Sequence, residues 1–499
     1  MISNFLDKIF KRYPRKTSRI LEIILPSISV FMITVSFWGS ILFPVHLAYF
    51  IIFFDVYWLY KSINLAIYSF ISSKRIKEAE SIDWSQNCKN LPNFSKVYHI
   101  VVIPNYQEKI EKLKETIDTI KQQTIGPKKI FVFVAMEERE ENVKEKAKEL
   151  AKYYKEKFAG IFFTFHPDIP GELKGKSSNQ AYAGKKAYEI LIKQKKLDID
   201  YLTISSVDAD TIFDKQYYAY LTYKFLKSEK PHTRFWQSAN VSYNNFWDVP
   251  AFTRVISFFG SLWRASLLTQ GLRLIPNSTY SLSFKLLTEI DYWDTDVIPE
   301  DYRIFFKAFF RKKGQVDVEP IYLKTSMDAP LSQTYYKSLL NKYHQERRWS
   351  WGISDDAVYL KWWLTVRDVP FFKKTYLITN VLMDHILWPV NWYIITISAN
   401  IVALLNPVFS MTTLGYNLSR LSGFILTMCL LALFILIFID FNLRSKQKKK
   451  VSKFRQFLFP LEFVFMPVAG FFLSSLPALI SHLQLIIGKR MEYKVTEKV

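Results

Sequence analysis

Tyr201-Leu202-Thr203-Ile204-Ser205-Ser206-Val207-Asp208-Ala209-Asp210 is the stretch that decides the fold. Residues 201–207 read as a buried strand, and the strand runs directly into two carboxylates one residue apart. Upstream, 97–103, 129–135 and 161–165 read as three more strands. Helical stretches lie between them at 109–122, at 140–157 and from about 178 to 195. Strands alternating with helices predict an α/β domain, a mostly parallel sheet with helices on both faces. Ligands bind such sheets beyond the carboxyl ends of the strands, so Asp208 and Asp210 stand where a ligand is expected.

Asp-x-Asp alone is a weak signal, and the chain holds two others, Asp198-Ile199-Asp200 and Asp294-Thr295-Asp296. The first precedes its strand, at the edge where no ligand is expected, and the second lies in a polar loop. Two carboxylates on a turn leaving a strand suit a shared Mg²⁺ or Mn²⁺, cations that take oxygen ligands and are often completed by substrate phosphates. The same pair also suits a turn or helix cap.

The whole chain has 499 residues, 49% of them hydrophobic, with a net charge of +22. Disorder and low complexity are excluded on that composition. Two cysteines give neither a disulfide framework nor a Cys-based zinc site, and the seven His show no H-x-x-x-H pair. Gly-x-Gly-x-x-Gly and Walker loops are absent, which argues against dinucleotide and P-loop enzymes. Mean hydropathy is +0.02 despite the charge, so apolar and basic stretches are segregated.

The apolar stretches predict membrane spans. Residues 23–54 hold no Asp, Glu, Lys or Arg, and with 55–60 they are long enough for two spans hinged near Pro44. Basic residues flank this pair on both sides, Lys8 to Arg19 before it and Lys61 to Lys77 after it. The positive-inside rule then puts both ends in the cytoplasm. Residues 386–405 and 422–439 are further spans, and 463–481 is a third segment interrupted by Pro467, Gly470 and Pro477, either a span or re-entrant. Residues 444–455 carry seven basic side chains and read as cytoplasmic. Charges among the apolar residues of 356–374 predict an amphipathic interfacial helix. The division expected is therefore 1–75 with a two-helix hairpin, a cytosolic catalytic domain over 95–355, an interfacial region over 356–385, and a membrane region with a basic tail over 386–499. Much of the positive charge lies beside spans, so membrane lipid rather than nucleic acid is the expected polyanionic partner.

Two further clusters stand out. Ile298-Pro299-Glu300-Asp301 opens a helical stretch, where acids also serve as simple dipole partners. Gln345-Glu346-Arg347-Arg348-Trp349 combines an amide, two guanidiniums suited to phosphate and an indole suited to a sugar face.

In order along the chain, Asp208-Ala209-Asp210, Glu300-Asp301 and Gln345-x-x-Arg348-Trp349 resemble the membrane-embedded family 2 glycosyltransferases, the group of cellulose, chitin and hyaluronan synthases. Pro104-Asn105-Tyr106-Gln107-Glu108 is similar to that family's Pro-x-Tyr-Asn-Glu loop, and Gly175-Lys176-Ser177-Ser178-Asn179 to its Gly-Lys-x-x-Asn segment. The family carries an Asp after its second strand, where this chain offers Glu137, and Thr-Glu-Asp where this chain has Pro-Glu-Asp.

The resemblance implies a GT-A catalytic domain, Rossmann-like and flanked by transmembrane helices, in a multi-pass protein of the cell (inner or plasma) membrane. It implies a nucleoside diphosphate sugar as donor, a UDP-sugar among the candidates, and Mg²⁺ or Mn²⁺ on Asp208 and Asp210. Pro104, Tyr106, Glu108, Glu137, Lys176, Asn179, Asp208, Gln345 and Arg348 would bind the donor. Trp349 would bind a glycan or lipid acceptor. Asp301, with Glu300, would be catalytic, Asp301 taking the proton from the attacking hydroxyl. The activity implied is inverting transfer, with repeated addition building a β-linked polysaccharide. Transfer of one sugar to a lipid, and a transporter or scaffold with a degenerate transferase domain, are the alternatives.

Overall fold

The computed structural model describes Phe10 and residues 12–444 and 451–492. Lys8, Lys11, the basic run 445–450, Lys494 and Lys498 lie outside the described residues. Within them, the strands are β1 (Tyr98–Asn105), β2 (Ile130–Glu137), β3 (Gly160–His166), β4 (Leu202–Ser206), β5 (Ile212–Phe213), β6 (Arg234–Val241), β7 (Tyr280–Ser283) and β8 (Asp317–Ser326). They form one sheet in the order β3-β2-β1-β4-β7-β6-β8-β5. The β3-β2-β1-β4 half is parallel throughout, and β7 runs antiparallel to β4 and β6. This is the expected mostly parallel α/β domain.

Apolar burial on both faces holds the sheet. Every residue of β2 is buried. On one face Ile100, Val102, Phe133 and Ile204 pack with Ala183, Ala187 and Phe305 of the helices Lys176–Ala187 and Glu300–Arg311. On the other, Val101, Ile103, Val132 and Val134 pack with Ile117, Leu150 and Leu221 of the helices Ile110–Lys121, Val143–Tyr153 and Tyr217–Lys227. Burying each such side chain contributes roughly 1.5–3 kcal/mol.

Five helices among the described residues are long and apolar enough to cross a membrane: Pro14–Leu42, Pro44–Glu80, Phe371–Leu405, Thr413–Leu443 and Lys453–Ile486. A third cluster ties them to the α/β domain. Ala66 and Ile76, Leu433 and Leu436, and Phe459 and Phe463 pack there against Val255, Phe258 and Leu262 of the helix Ala251–Leu267.

One boundary differs from the sequence expectation. The helix that was expected from 386 begins at Phe371, after the shorter helix Ile353–Thr365 and the break at Pro370. Its charges are satisfied locally. Lys374 donates to the carbonyls of Trp363 (2.8 Å) and Val366 (2.7 Å), and Lys373 to that of Gly314 (2.8 Å). In the preceding helix, buried Asp356 pairs with His385 (2.8 Å) and Asp355 with Arg303 (3.4 Å). The segment 453–486, interrupted by prolines, is a run of α, 3₁₀ and π turns rather than a single regular helix.

Candidate active site

The sheet opens where its strand order reverses. β1 pairs with β2 as far as Asn105–Met136, but with β4 only as far as Val102–Ser206. Beyond Val102 a crevice separates the carboxyl ends of β1 and β4, the place where open α/β sheets hold ligands. Pro104 and Tyr106 stand on one lip, Asp208 and Asp210 on the other. A cavity of about 1360 Å³ runs from this crevice to the membrane-spanning helices. Glu108, Glu137, Lys176, Asn179, Glu300, Asp301, Gln345, Arg348 and Trp349 line it together with those four. These thirteen residues thus face one space.

Lys176, first residue of the helix Lys176–Ala187, joins the acids. Its ammonium lies 2.8 Å from Asp208 and 2.9 Å from Glu300, and donates to the Ser278 carbonyl at 2.9 Å. Ser278 completes the link: its hydroxyl donates to Asp208 (2.5 Å) and its backbone N–H to Asp301 Oδ2 (3.0 Å). The second Asp301 oxygen accepts the Tyr302 N–H at 2.9 Å. Ser278 has φ of 55°, in the left-handed region that side chains other than glycine rarely adopt. Asp210 accepts the Asp328 N–H at 2.7 Å, and its own carbonyl accepts from the Asn244 amide at 3.1 Å.

Burial sets the electrostatics. It pushes the Glu300 carboxyl up to about 7, against the lowering effect of Lys176 and with a further push from Asp301. Asp301 is raised for the same reason, moderated by the Ser278 N–H and then by Lys176. Burial also opposes the Lys176 ammonium, but Asp208 and Glu300 outweigh it and hold the amine well above the usual lysine range.

The remaining predicted residues are held by their own elements. Asn179, one turn into its helix, donates to the Ala135 carbonyl at 2.7 Å, which ties that helix to β2. Glu137 ends β2 and accepts from Arg139 at 2.6 Å, while the Arg139 guanidinium lies 3.9 Å from the centre of the Tyr106 ring. Lys146 bonds the Glu108 carbonyl. On the helix Tyr335–Ser350, Lys342 reaches Gln345 (3.0 Å) and Glu346 (2.7 Å) and sits 4.8 Å from the Trp349 ring centre. The two arginines diverge: Arg347 donates to Gln484 (2.5 Å) in the last span, whereas Arg348 lines the cavity.

The other Asp-x-Asp pairs lie elsewhere. Asp198 caps the Asp200 N–H and Asp200 pairs with Lys285 (2.8 Å). Asp294 pairs with Arg303 (2.8 Å) and Lys307 (2.6 Å).

Sequence reasoning missed Ser278, for which Asn277-Ser278-Thr279 gives no signal beyond a turn. It also missed Lys61, Arg273 and Asp384, which meet in the membrane-side part of the cavity. A lone Asp inside an apolar helix was the available clue to that cluster.

Among the described residues no group of three or more His, Cys, Asp or Glu side chains is arranged to hold a metal ion. Asp208 and Asp210 nevertheless fit Mg²⁺ or Mn²⁺. They are hard oxygen donors two positions apart, both lining the cavity, and such ions commonly draw their remaining ligands from phosphate and water.

Residues 203–439 match the family model described as Glycosyl transferase family group 2. Solved structures similar to the chain include a mannosyltransferase from Pyrobaculum calidifontis in complex with GDP-Man and Mn²⁺. It is 12% identical, with a TM-score of 0.43 over 74% of this chain and 99% of that one. TarS residues 1–349 of S. aureus, in complex with UDP-GlcNAc, is 12% identical, with a TM-score of 0.38 over 71% of this chain and 94% of that one. No curated protein matches the chain.

Proposed function

We propose that the protein is a family 2 glycosyltransferase that transfers a sugar, with inversion, from a nucleoside diphosphate sugar to an acceptor hydroxyl, and that repeated transfer builds a β-linked polysaccharide. The observation that carries this reading is the single cavity shared by Asp208, Asp210, Asp301, Arg348 and Trp349, which continues among helices long enough to cross a membrane.

In this reading the nucleotide lies against Pro104, Tyr106, Glu108, Glu137 and Asn179 at the crevice. Arg348 and Gln345 face the diphosphate, where a guanidinium suits phosphate oxygens. Asp208 and Asp210 would hold Mg²⁺ or Mn²⁺, which supplies Lewis-acid neutralisation of the leaving diphosphate. Asp301 accepts the proton of the incoming hydroxyl. The Ser278 N–H aims its carboxylate, and together with the Lys176 charge it favours the ionised form against the burial that raises the acid. Glu300 fixes Lys176 beside Asp208 and so sets the field at the base. Attack from the face opposite the leaving group inverts the anomeric carbon. Trp349 offers its ring to the acceptor's terminal sugar. The donor side then lies in the cytoplasm of the cell, as the flanking basic residues favour.

One observation favours a second reading, transfer to a lipid. Gly423, Thr427 and Leu430 of the helix Thr413–Leu443 line the cavity and are exposed, and they alternate with the exposed Phe424, Leu431 and Phe434 of the same helix, so this wall of the cavity stands where lipid would lie. The test is a donor screen on the purified protein in membranes with Mg²⁺ or Mn²⁺, reading released nucleoside diphosphate and sizing the labelled product. A long glycan supports the synthase, a single-sugar lipid supports the second reading, and no turnover with any donor contradicts both.

A further inference from the structure

Three charged side chains from three elements meet in the membrane-side part of the cavity. Arg273, from the catalytic domain, donates through one terminal nitrogen to both Asp384 oxygens, at 2.9 and 3.0 Å. Lys61, on the helix Pro44–Glu80, lies 3.6 Å from the same carboxylate, beyond hydrogen-bond length. Two cations therefore share one anion. The neighbouring His385 is already engaged by Asp356 at 2.8 Å. A surplus charge among partly buried side chains is costly, and a bound anion would cancel it.

Helix lengths give the depth of this cluster. Lys61 lies about 26 Å along its helix from Pro44, and Asp384 about 32 Å along its helix from Leu405. Those two distant ends share one level, because Leu47 and Ala48 pack with Ala399 and Val402, and Asn406 donates to the Ser40 carbonyl at 2.9 Å. The hydrocarbon core is about 30 Å thick, so the cluster sits at the headgroup level on the catalytic-domain side. It is also next to the acids. Tyr302 follows Asp301, His385 follows Asp384, and their rings lie 6.2 Å apart. From the same cavity an apolar wall of Leu426, Leu433 and Leu436 leads to the exposed Gly423, Thr427 and Leu430.

We infer that Lys61 and Arg273 bind the phosphate of a lipid acceptor that enters from the bilayer, with Asp384 holding the two cations in place across the cavity. The phosphate completes two cations with two anions, the hydrocarbon lies along the leucine wall, and the acceptor oxygen, a headgroup hydroxyl of a phospholipid or a phosphate oxygen of a polyprenyl phosphate, attacks the sugar as the nucleoside diphosphate leaves. The inference rests on the second reading of this cavity, transfer to a lipid, and it names the class of that acceptor.

The test measures lipid retention by native mass spectrometry of the full-length protein released from phosphatidylcholine nanodiscs doped with a polyprenyl phosphate or with phosphatidylglycerol. Wild type should retain the anionic lipid over phosphatidylcholine. Lys61→Met should lose about tenfold or more of that retention, at an unchanged melting temperature. Lys61→Arg should restore it. Preference for the polyprenyl phosphate identifies a carrier lipid, and equal retention of both identifies a phospholipid headgroup; either supports the site. Retention by Lys61→Met equal to wild type, or no preference over phosphatidylcholine, overturns it. Asp301→Asn should retain lipid as wild type does, so a failure of the transfer reading shows in turnover and a failure of this site shows in retention.

Discussion

Lys176 carries one positive charge among Asp208, Glu300 and Asp301, and the behaviour of those acids depends on it. Asp301 must be ionised to accept a proton, while burial raises its pKa. The rate should therefore fall as pH drops through that raised value, about tenfold per unit below it. Replacing Lys176 by Met removes a charge that lowers Glu300 and Asp301, so the acidic limb of the kcat/KM profile should move to higher pH. A profile with an unmoved limb contradicts the role given to Lys176. Ser278 is testable in the same way. Ser278→Gly keeps the N–H that holds Asp301 and relieves the left-handed backbone, but removes the hydroxyl on Asp208. Stability should stay within about 1 kcal/mol while transfer falls, measured by melting and by turnover. Unchanged turnover would show that the hydroxyl does not matter. Lys176 was legible because Gly-Lys-x-x-Asn is a motif. Ser278 was not, because its position depends on the chain folding back between β6 and β7.

At the scale of elements, legibility followed hydrophobic pattern. β1 to β4 are apolar runs and were read within two residues of their ends. β6 was not read, because its buried carboxyl half is polar. Gln237, Ser238 and Asn240 are satisfied by one another's neighbours, as in Ser238 to Thr325 (2.8 Å) and Asn240 to Asn277 (3.0 Å), and no sequence period records such partners. The start of the helix Phe371–Leu405 was misplaced for a related reason. Lys373, Lys374 and Asp384 look prohibitive in an apolar run until their partners are known. The same helix packs tightly on the last span. Trp388 donates to Ser474 at 3.0 Å, and a Cβ on Gly470 would overlap the Trp392 indole. Gly470→Ala should cost about 1–3 kcal/mol and lower the melting temperature in detergent. A melting temperature equal to wild type would contradict this packing.

At the scale of the molecule, one cavity joins a nucleotide-type crevice to the membrane helices, and the acids stand between the two. The order of the motifs made the candidate site legible as a set of residues lining one cavity, whereas the cavity's course was not, since it depends on how five helices pack against the α/β domain. The claim on which the rest depends is that Asp301 accepts the acceptor's proton beside a donor held at Asp208 and Asp210. The most direct measurement compares Asp301→Asn with wild type for metal-dependent nucleotide binding by calorimetry and for sugar transfer from a labelled donor. The account predicts nucleotide binding close to wild type and transfer reduced at least about 100-fold. Transfer by Asp301→Asn at the wild-type rate would contradict it.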